Sequence, residues 1–414
     1  SPSTSTTLPA SACTPMTAGS FGPDRISQTV YNEADQVLES RSAVGTPLEQ
    51  ATVTYDYNNA TDENGTVAWV EDASGNRTAY GYDGFDRSNL VQYPSKQTAH
   101  TANPADAESV TYDDAGNILT FTMRRGETLT YTYDDLGRAT SKIVPARSGL
   151  ASVHTRNVFY DYDLFGDMTE ARFGSLMGDG MSYTYDGRGR PTSAISRLNG
   201  TNRTLTYTFD AAGRRTGLTY PDGQAFTYGY DNAGRTTRIS DPVGSPRVLW
   251  SYNADGTLGG LQRQGSSTMD QAFSFDDVKR LSGMEFLAGT NAPSYQSTWN
   301  FDYDPAGRIT QTSRSNDIYA APSQGDKDRA YTSNGLNQYE SAGAVGFTYD
   351  ANGNLTSDDK NAFVYDVENR LVTRTSTGSS ATLTYDPFGR LWRVQGIDGG
   401  TVTSDTTFLC DGDA

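Results

Sequence analysis

The sequence is poor in the side chains on which most catalytic and metal centres depend. Its 414 residues include two histidines, His100 and His154, and two cysteines, Cys13 and Cys410. A transition-metal site or a Ser-His-Asp triad needs such side chains close together, and there is no CxxC and no neighbouring histidine pair. The cysteines stand near opposite ends of the chain, and nothing in their spacing supports a disulfide between them.

Basic charge and long apolar runs are also scarce. The chain has 33 Lys and Arg against 50 Asp and Glu, a net charge of −17 and a pI near 4.5. Because nucleic-acid phosphates are bound by clustered Lys and Arg, this balance argues against nucleic acid as a partner. No apolar run approaches the ~20 residues of a membrane-spanning helix, and no signal peptide is visible, so an export signal would have to lie outside this segment.

Aliphatic side chains are few as well, and tyrosine takes their place. Val, Ile, Leu and Phe together make up only roughly a sixth of the chain, a composition that at this net charge is typical of disorder. However, the chain has 26 tyrosines. A tyrosine buries a large ring and needs a partner only for its hydroxyl, so aromatic pairs on neighbouring strands can stabilise a sheet without a thick aliphatic core.

One stretch, Leu129 to Thr140 (LTYTYDDLGRAT), shows the unit from which the chain is built. Leu129, Tyr131 and Tyr133 occupy every second position, which is the period of one face of a β-strand, and threonines fill the other face. An Asp, two variable residues and a Gly follow. Asp favours the start of a type I turn, and Gly supplies the positive φ of a short hairpin. The unit therefore predicts strand, DxxG turn, strand.

Near-copies of this unit recur along the whole chain. Clear copies begin at Tyr82, Tyr112, Tyr133, Tyr162, Tyr185, Phe209, Tyr230, Phe275, Tyr303, Tyr349, Tyr365 and Tyr385. Weaker copies begin at Tyr31, Tyr57, Tyr252 and Tyr331. The total is about sixteen, with heads mostly ~20 to 25 positions apart, which suits one hairpin and a connector.

We assign the repeated residues a structural role. Several arginines stand four positions after a turn Asp, where they can pair across the turn or stack on the aromatic face, and we favour this over a ligand role. The assigned motif residues are Tyr82, Asp83, Arg87, Tyr112, Asp113, Gly116, Tyr133, Asp134, Gly137, Arg138, Tyr185, Asp186, Gly189, Arg190, Tyr230, Asp231, Gly234, Arg235, Tyr303, Asp304, Gly307, Arg308, Tyr385, Asp386, Gly389 and Arg390.

The recurring YDxxGR word resembles the YD repeats of the RHS (rearrangement hotspot) family, which is shared with the shells of bacterial polymorphic toxins, insecticidal toxin complexes and teneurins. The resemblance covers roughly residues 25 to 414. It implies a long β-sheet that spirals into a hollow cocoon around a toxin or effector. It also implies that a core-closing protease segment, which cuts at a DPxGL-type motif, follows the shell.

The repeat count by itself predicts a sheet that cannot lie flat. About sixteen hairpins give about 32 strands, and at ~4.8 Å per strand the sheet would be roughly 150 Å wide. Open twisted sheets rarely exceed ~10 strands without curling or splitting. We therefore expect an all-β fold, in which one long antiparallel sheet of consecutive hairpins curls into a spiral, cocoon- or barrel-like wall with little helix.

The domain organisation follows the repeats. Residues 1–24 are rich in Ser, Thr and Pro without periodicity and form an extended lead-in, and residues 25–414 form one continuous shell segment. Interruptions at 95–107, 145–153, 240–247 and 313–329 are expected to be loops or longer turns. The final FLCDGDA begins a repeat, with Cys410 at the tyrosine position as a small buried substitute, so we expect the segment to be truncated there.

Candidate chemistry is sparse, and a structural explanation is available for each candidate. The DPxG words at Asp241, Asp304 and Asp386 open turns, and we assign them no protease role. The DYD words at Asp161 and Asp302 offer carboxylate pairs for Ca²⁺ without an EF-hand spacing, so we favour turn capping. Asn199-Gly200-Thr201 is one of several glycosylation triplets, relevant only in a glycosylating source. We predict no cofactor, no metal and no catalytic group.

Three functions compete at this stage. The first is a non-enzymatic shell segment, secreted or at the bacterial cell surface, whose partners are an enclosed polypeptide or further shell segments. The second is an extracellular adhesion, carbohydrate-binding or filament-forming protein, which would bind glycans through aromatic rows or associate with itself through sheet edges. The third is a carbohydrate-active enzyme, for which no carboxylate pair can be nominated.

Overall fold

The fold was obtained as a computed structural model, and it describes residues 26–57, 65–263, 269–288, 295–304, 307–318 and 329–411. The predicted lead-in, Cys13, and most of the weak copy at Tyr57 lie outside the described residues. Two single-turn 3-10 helices, Ser152–His154 and Leu198–Gly200, lie wholly within the described residues. No described helix has the length and apolar character needed to cross a membrane.

The described residues form 34 strands. Numbered in chain order, the first seventeen are β1 Ser27–Tyr31, β2 Val37–Ser42, β3 Gln50–Asp56, β4 Trp69–Asp72, β5 Arg77–Tyr82, β6 Ser88–Pro94, β7 Ala102–Tyr112, β8 Ile118–Thr122, β9 Thr128–Tyr133, β10 Ala139–Ile143, β11 Val158–Tyr162, β12 Met168–Phe173, β13 Gly180–Tyr185, β14 Pro191–Ser196, β15 Arg203–Phe209, β16 Arg215–Thr219 and β17 Ala225–Tyr230. The remaining strands are β18 Thr236–Ser240, β19 Pro246–Tyr252, β20 Leu258–Arg263, β21 Met269–Phe275, β22 Leu281–Ala288, β23 Ser297–Tyr303, β24 Ile309–Arg314, β25 Tyr331–Ser333, β26 Tyr339–Ala342, β27 Val345–Gly346, β28 Thr348–Tyr349, β29 Leu355–Ser357, β30 Ala362–Tyr365, β31 Leu371–Ser376, β32 Ser379–Tyr385, β33 Leu391–Asp398 and β34 Thr401–Thr407.

Strands that follow one another in sequence pair with one another. Strands β1 to β24 belong to one 24-stranded antiparallel sheet, β25 to β27 form a three-stranded sheet, and β28 to β34 form a seven-stranded sheet. Within the described residues the large sheet is not closed, because β1 pairs only with β2 and β24 only with β23. These pairings confirm the predicted all-β class and the long antiparallel sheet of consecutive hairpins.

The two faces of the strands differ as the repeat predicts. On one face, hydroxyls of opposed threonines and serines bond to one another, as in Thr132 with Ser141 at 2.6 Å and Thr184 with Ser193 at 2.7 Å. The other face carries the tyrosines. Hydroxyl pairs and aromatic rings on opposite faces are the arrangement that strict alternation along a strand produces.

By its internal contacts the chain divides into two compact units. The first unit comprises residues 1–160, 172–178 and 328–408, and the second comprises residues 161–171, 179–327 and 409–414. Each unit therefore combines part of the repeat array with residues from near the end of the chain. That the whole of 25–414 forms one continuous body stays a prediction.

The aliphatic core of each unit is small. In the first unit, Met123, Leu129, Val144 and Val367 are buried together, with Phe121 and Tyr131 packed against them. Burying these side chains stabilises the unit by roughly 1.5–3 kcal/mol for each large one.

The second unit buries an equally compact set on the tyrosine face. Ala194, Leu205, Tyr207 and Leu218 form the cluster, and the partly buried side chains against it are Tyr183, Phe209, Tyr228 and Leu409. Aromatic rings thus surround a few aliphatic side chains in this unit, as the composition suggests.

Two of the predicted interruptions are wrong in part. The predicted loop 95–107 ends early, because β7 begins at Ala102, and Ala102 and Ala107 pair with Pro94 and Gln92 of β6. The four residues between them bulge out opposite Tyr93, which is how a strand accommodates Pro104. The predicted loop 240–247 is a tight turn, closed by the Asp241 N–H to Ser245 carbonyl bond of 3.0 Å.

The other two interruptions agree with the prediction where they are described. Residues 145–153 connect β10 to β11 without strand structure. In 313–329, Ser313 and Arg314 complete β24, and residues 319–328 lie outside the described part of the chain.

Candidate functional site

The repeated turns share one geometry, shown by the turn that follows β9. The N–H of Gly137 bonds to the carbonyl of Asp134 at 2.9 Å, and the N–H of Asp134 bonds to the carbonyl of Arg138 at 3.0 Å. One Asp134 carboxylate oxygen accepts the N–H groups of Leu136 and Arg138. This is a type I turn followed by a positive-φ residue and a bulge, the usual form of a three-residue hairpin loop. The carboxylate therefore caps the turn from inside.

The second carboxylate oxygen holds the arginine four residues later. Arg138 approaches Asp134 at 2.7 Å, and the same pairing recurs at 2.5–2.8 Å in the other repeats that carry both residues. Asp113 uses Asn117 instead, at 2.9 Å. The pairs are Asp83–Arg87, Asp134–Arg138, Asp186–Arg190, Asp210–Arg214, Asp231–Arg235, Asp276–Arg280, Asp304–Arg308, Asp366–Arg370 and Asp386–Arg390.

The arginine also reaches forward to the next repeat. The Arg87 guanidinium lies over the Tyr112 ring, 4.5 Å from its centroid, and donates to the Asp113 carbonyl at 3.1 Å. Ring contacts of this kind, at 4.4–5.0 Å, are Arg87–Tyr112, Arg190–Phe209, Arg214–Tyr230, Arg235–Tyr252, Arg280–Tyr303 and Arg370–Tyr385. The arginine thus joins one turn to the aromatic residue of the following one.

The tyrosine hydroxyl completes this arrangement by bonding backward. Tyr112 donates to the backbone carbonyl of Ser88, which directly follows the preceding turn, at 2.7 Å. All seven assigned motif tyrosines donate in this way at 2.7–2.9 Å; the pairs are Tyr82–Val67, Tyr112–Ser88, Tyr133–Ile118, Tyr185–Met168, Tyr230–Arg215, Tyr303–Leu281 and Tyr385–Leu371. We call this set of Asp, Arg and next-repeat Tyr contacts the clasp.

The clasp changes what the tyrosine pattern means. Neighbouring tyrosines were expected to pair with one another across strands, but the rings named above lie against guanidinium groups instead. The motif tyrosines are half-buried in this position. A cation over a ring face contributes about 0.5–1 kcal/mol at exposed sites and more when desolvated.

The electrostatics of the turn carboxylates follow from the same contacts. The Arg190 side chain, followed by the backbone N–H of Arg188, lowers the pKa of Asp186 from its ordinary value to about 2. Asp134, Asp210, Asp231 and Asp276 have pKa values shifted in the same direction, first by the backbone N–H of their arginine. These carboxylates therefore stay ionised and hydrogen-bonded to their own turn, which suits a structural role and not proton transfer.

The fourth turn position has positive φ whether or not glycine occupies it. In the assigned motif glycines Gly116, Gly137, Gly189, Gly234, Gly307 and Gly389, φ lies between 73° and 90°. Where the word lacks glycine, Asp86, Lys279 and Asn369 adopt φ of 60°, 67° and 62°. The turn geometry is thus imposed by the repeat and not by glycine alone.

The weak copies fall into two groups. Those at Tyr31 and Tyr252 form the same turn, with Asn32 and Asn253 in place of the aspartate. The copy placed at Tyr331 is out of register: the turn starts at Asn334 and its positive-φ residue is Asn337, two positions later than the word YTSNGL implies. Both Gly335 and Asn337 are residue types that accept positive φ, and the sequence analysis assigned the turn's positive-φ position to Gly335 instead of Asn337.

The candidate chemical motifs lie in turns. Asp241 is 5 % exposed and accepts bonds from Val243, Ser245 and Arg247, and Asp386 holds Arg390 in the same manner. Of the third DPxG word, residues 305 and 306 lie outside the described part. Each of these described carboxylates is fully engaged in closing its own turn.

The remaining motifs have local partners too. In the DYD at 161–163, Asp161 accepts the N–H of Tyr162 and Asp163 caps a turn. No group of three His, Cys, Asp or Glu side chains with metal-binding geometry occurs among the described residues. Asn199 is exposed at positive φ in the second 3-10 helix.

Each unit also contains charged pairs that sequence analysis missed. In the first unit, Lys142 pairs with Glu368, and Arg125 pairs with Asp350 at 3.0 Å. In the second unit, Arg215 pairs with Asp411 at 2.5 Å. In the sequence, the second-unit pair is indicated only by the two consecutive arginines Arg214 and Arg215. The first belongs to the motif, which leaves the second without a partner in the repeat. A partner about 200 residues away cannot be identified from spacing.

His154, one of the two histidines of the chain, lies in the connector between β10 and β11. It ends the first 3-10 helix and is 8 % exposed. Burial lowers the pKa of His154, opposed by nearby Asp366 and assisted by Arg156 and Arg370. The imidazole is therefore kept neutral inside the first unit.

A comparison with family profiles finds one match, which covers part of the repeat array. A family profile described as "Teneurin YD-shell" matches residues 109–312. No curated protein matches the chain.

The chain also matches several solved structures at low sequence identity. The structure titled TcdB2-TccC3-Cdc42 is 14 % identical over 96 % of this chain, with a TM-score of 0.49, and TcdB2-TccC3 is 14 % identical over 93 %, also with a TM-score of 0.49. The Tc holotoxin pore of Photorhabdus luminescens is 12 % identical over 93 %, with a TM-score of 0.43. The chain spans only 23–27 % of the length of these solved chains.

Proposed function

We propose that this chain, whose residues 109–312 match a teneurin YD-shell profile, is a YD-repeat protein of the RHS kind and a wall segment of a shell that encloses a toxin or effector polypeptide. In this proposal the role is non-enzymatic, and the motif residues serve the wall. The shell acts outside the producing cell or at its surface. The predicted curl of the sheet belongs to the same proposal, since open twisted sheets of this breadth curl, split or flatten.

The observation that carries the proposal is the clasp. Each clasp takes its Asp and Arg from one hairpin and its Tyr from the next. It therefore links neighbouring hairpins, and further hairpins can be added by the same contacts. A wall built this way extends by adding hairpins and does not need a thick core. Such a construction suits enclosure, because it gives a large surface from few buried aliphatic side chains.

The same geometry weakens the adhesion alternative. A glycan-binding surface needs aromatic rings that are free to stack on sugar faces. The rings of Tyr112, Tyr230 and Tyr303 instead contact arginines, and their hydroxyls donate to backbone carbonyls. We therefore favour enclosure over glycan binding.

Protease protection tests the proposal on the natural gene product that contains this chain. The native product and a denatured sample are digested with proteinase K, and surviving peptides are identified by mass spectrometry. We expect peptides from outside residues 26–411 to survive in the native sample and to disappear after denaturation. Equal digestion of those peptides in both samples would refute enclosure, and glycan-array binding by the same product would favour adhesion.

A wall variant sharpens this experiment. The combination Arg214→Ala and Tyr230→Leu removes one clasp, and Arg238→Ala removes an exposed arginine on the adjacent strand β18. We expect earlier digestion of the protected peptides in the clasp variant and no change in the Arg238 variant. If both variants behave like the parent, the clasp does not maintain the wall.

A further inference from the structure

In both units a carboxylate from late in the chain pairs with a basic side chain on the tyrosine face of an earlier strand. Glu368 meets Lys142 beside Tyr131 in the first unit, and Asp411 meets Arg215 in the second. Most arginines of the repeats are already paired with the aspartate of their own turn. Lys142 and Arg215 differ from these arginines, because each one pairs with a carboxylate from a segment late in the chain that lies against the tyrosine face.

The second-unit site is built from three neighbouring strands. The Arg215 guanidinium lies 4.9 Å from the Tyr228 ring centroid and 5.9 Å from that of Tyr207, and it donates to the Tyr228 hydroxyl at 3.4 Å. It pairs with the Asp411 carboxylate at 2.5 Å. The cation is thus fixed in orientation by two rings and aimed at the carboxylate.

An apolar contact lies beside the charged one. Leu409 packs against the cluster that contains Leu205, Tyr207 and Leu218. In an extended chain, residues two apart point to the same side, so Leu409 and Asp411 both face the sheet. Residues 409–411 therefore occupy the site as an apolar-x-acidic triplet.

Tyr207 adds a donor for the carboxylate. Burial raises the pKa of Tyr207, and the charge and hydrogen bond of Asp411 raise it further. The phenol therefore remains protonated and can donate to Asp411. An arginine guanidinium and a phenol hydroxyl together offer a carboxylate several hydrogen-bond donors.

We propose that Tyr207, Arg215 and Tyr228, with the adjoining Leu205 and Leu218, form a binding site for extended polypeptide of the pattern apolar-x-acidic, by which the shell anchors the polypeptide it encloses. Residues 409–411 fill this site in cis. The choice of partner rests on the proposed function, whereas the site itself does not. The chain has a net charge of −17, which repels an acidic peptide in general. Such a peptide is attracted where a basic side chain is not paired with the aspartate of its own turn, as at Arg215.

Peptide binding in trans tests the site on the full chain. The variant Leu409→Ser with Asp411→Asn empties the site, and the probe is a fluorescent peptide of residues 405–411 with Cys410→Ser. We expect anisotropy to show at least about tenfold tighter binding to the emptied variant than to the parent, because a tethered occupant competes at an effective concentration of order millimolar. Adding Arg215→Gln should weaken peptide binding by about tenfold or more, since the carboxylate loses its partner.

The matched control is Arg238→Gln in the emptied variant. Arg238 pairs with Gly229 on the opposite face of the same sheet, so this change removes the same charge away from the site. Peptide affinity should not change. Equal affinity for the emptied variant and the parent, or equal loss in the Arg215 and Arg238 variants, would overturn the site.

A second measurement covers the case in which emptying the site harms folding. In a Cys13→Ser, Cys410→Ser background, Leu409→Cys puts the single thiol on the side that faces the cluster, so its labelling rate reports release of the segment. Arg215→Gln should raise this rate several-fold, and an unchanged rate would also overturn the site. Loss of protease protection with retained peptide binding would refute the shell alone, and the reverse result would refute the site alone.

Discussion

The hydroxyl of Tyr230 donates a hydrogen bond to the backbone carbonyl of Arg215 over 2.7 Å, although the two residues belong to successive hairpins. The Arg214 guanidinium lies 4.8 Å from the centroid of the same ring. Tyr230 is therefore held at its ring by the last residue of the preceding turn and at its hydroxyl by the residue that follows it. The tyrosine of the repeat acts between hairpins and not within its own.

This relationship predicts the effect of removing one oxygen atom. Tyr230→Phe should lower the free energy of unfolding by about 1 kcal/mol, because the Arg215 carbonyl loses its donor while the ring keeps its contacts. Tyr230→Leu should cost more, since it also removes the ring beneath Arg214. Denaturant unfolding measures both changes.

Tyr31→Phe is the control for the hydroxyl effect. Tyr31 heads a weak copy of the repeat and is 55 % exposed. Its loss of a hydroxyl should change the free energy of unfolding by less than ~0.5 kcal/mol. Equal effects at Tyr31 and Tyr230 would show that the inter-hairpin bond contributes nothing particular.

A second prediction concerns Lys279, which occupies the glycine position of its turn at φ 67°. A non-glycine residue in the left-handed region is strained by about 1–2 kcal/mol, and glycine recovers part of this after its own entropy cost. Lys279→Gly should therefore raise the free energy of unfolding by about 0.5–1 kcal/mol. Thermal or denaturant unfolding of the two proteins gives the comparison.

Val278→Gly is the matched test, because Val278 precedes Lys279 in the same turn and does not have positive φ. There glycine brings only the entropy cost, so the variant should be less stable than the parent. If glycine stabilises both positions equally, relief of backbone strain is not the reason.

Sequence analysis could predict what the repeat encodes locally. The strand period, the turn start at Asp134 and the positive φ at Gly137 all follow from neighbouring residues, and the pairing of Arg138 with Asp134 lies only four positions away. The same rule holds at Lys279, where the amino acid departs from the pattern and the backbone does not. Local chemistry repeated many times was sufficient for the fold class.

Contacts between distant segments could not be predicted in this way. Lys142 with Glu368 and Arg215 with Asp411 join residues about 200 positions apart, and their side chains have no repeat signature. The clasp itself was half predicted: arginine stacking on the aromatic face was expected, but not that each arginine would reach the tyrosine of the next hairpin. That depends on the order of strands in the sheet, which a single repeat does not contain.

A third prediction is a pH dependence that comes from His154. Burial holds its folded-state pKa below the unfolded value near 6.5. The unfolded chain therefore binds more protons as pH falls through that value, and stability decreases. The melting temperature should fall between pH 7.5 and 5.5, and the fall should shrink in His154→Phe. A fall that persists in His154→Phe would assign it to other groups.

The last prediction tests a close backbone contact within the first unit. A Cβ added to Gly335, in the turn before β26, would overlap the carbonyl oxygen of Ser95. Since the obstacle is backbone on both sides, neither partner can rotate away, and Gly335→Ala should cost roughly 1–3 kcal/mol. Gly84→Ala provides the comparison, because a Cβ there meets nothing within 4 Å and the residue does not have positive φ.

Hydrogen exchange should show faster exchange for β25 to β27 in the Gly335 variant than in the parent, because the lost contact anchors that small sheet. If Gly335→Ala and Gly84→Ala unfold at the same denaturant concentration, the turn before β26 does not rest on Ser95, and the packing of the three-stranded sheet within the first unit must be different.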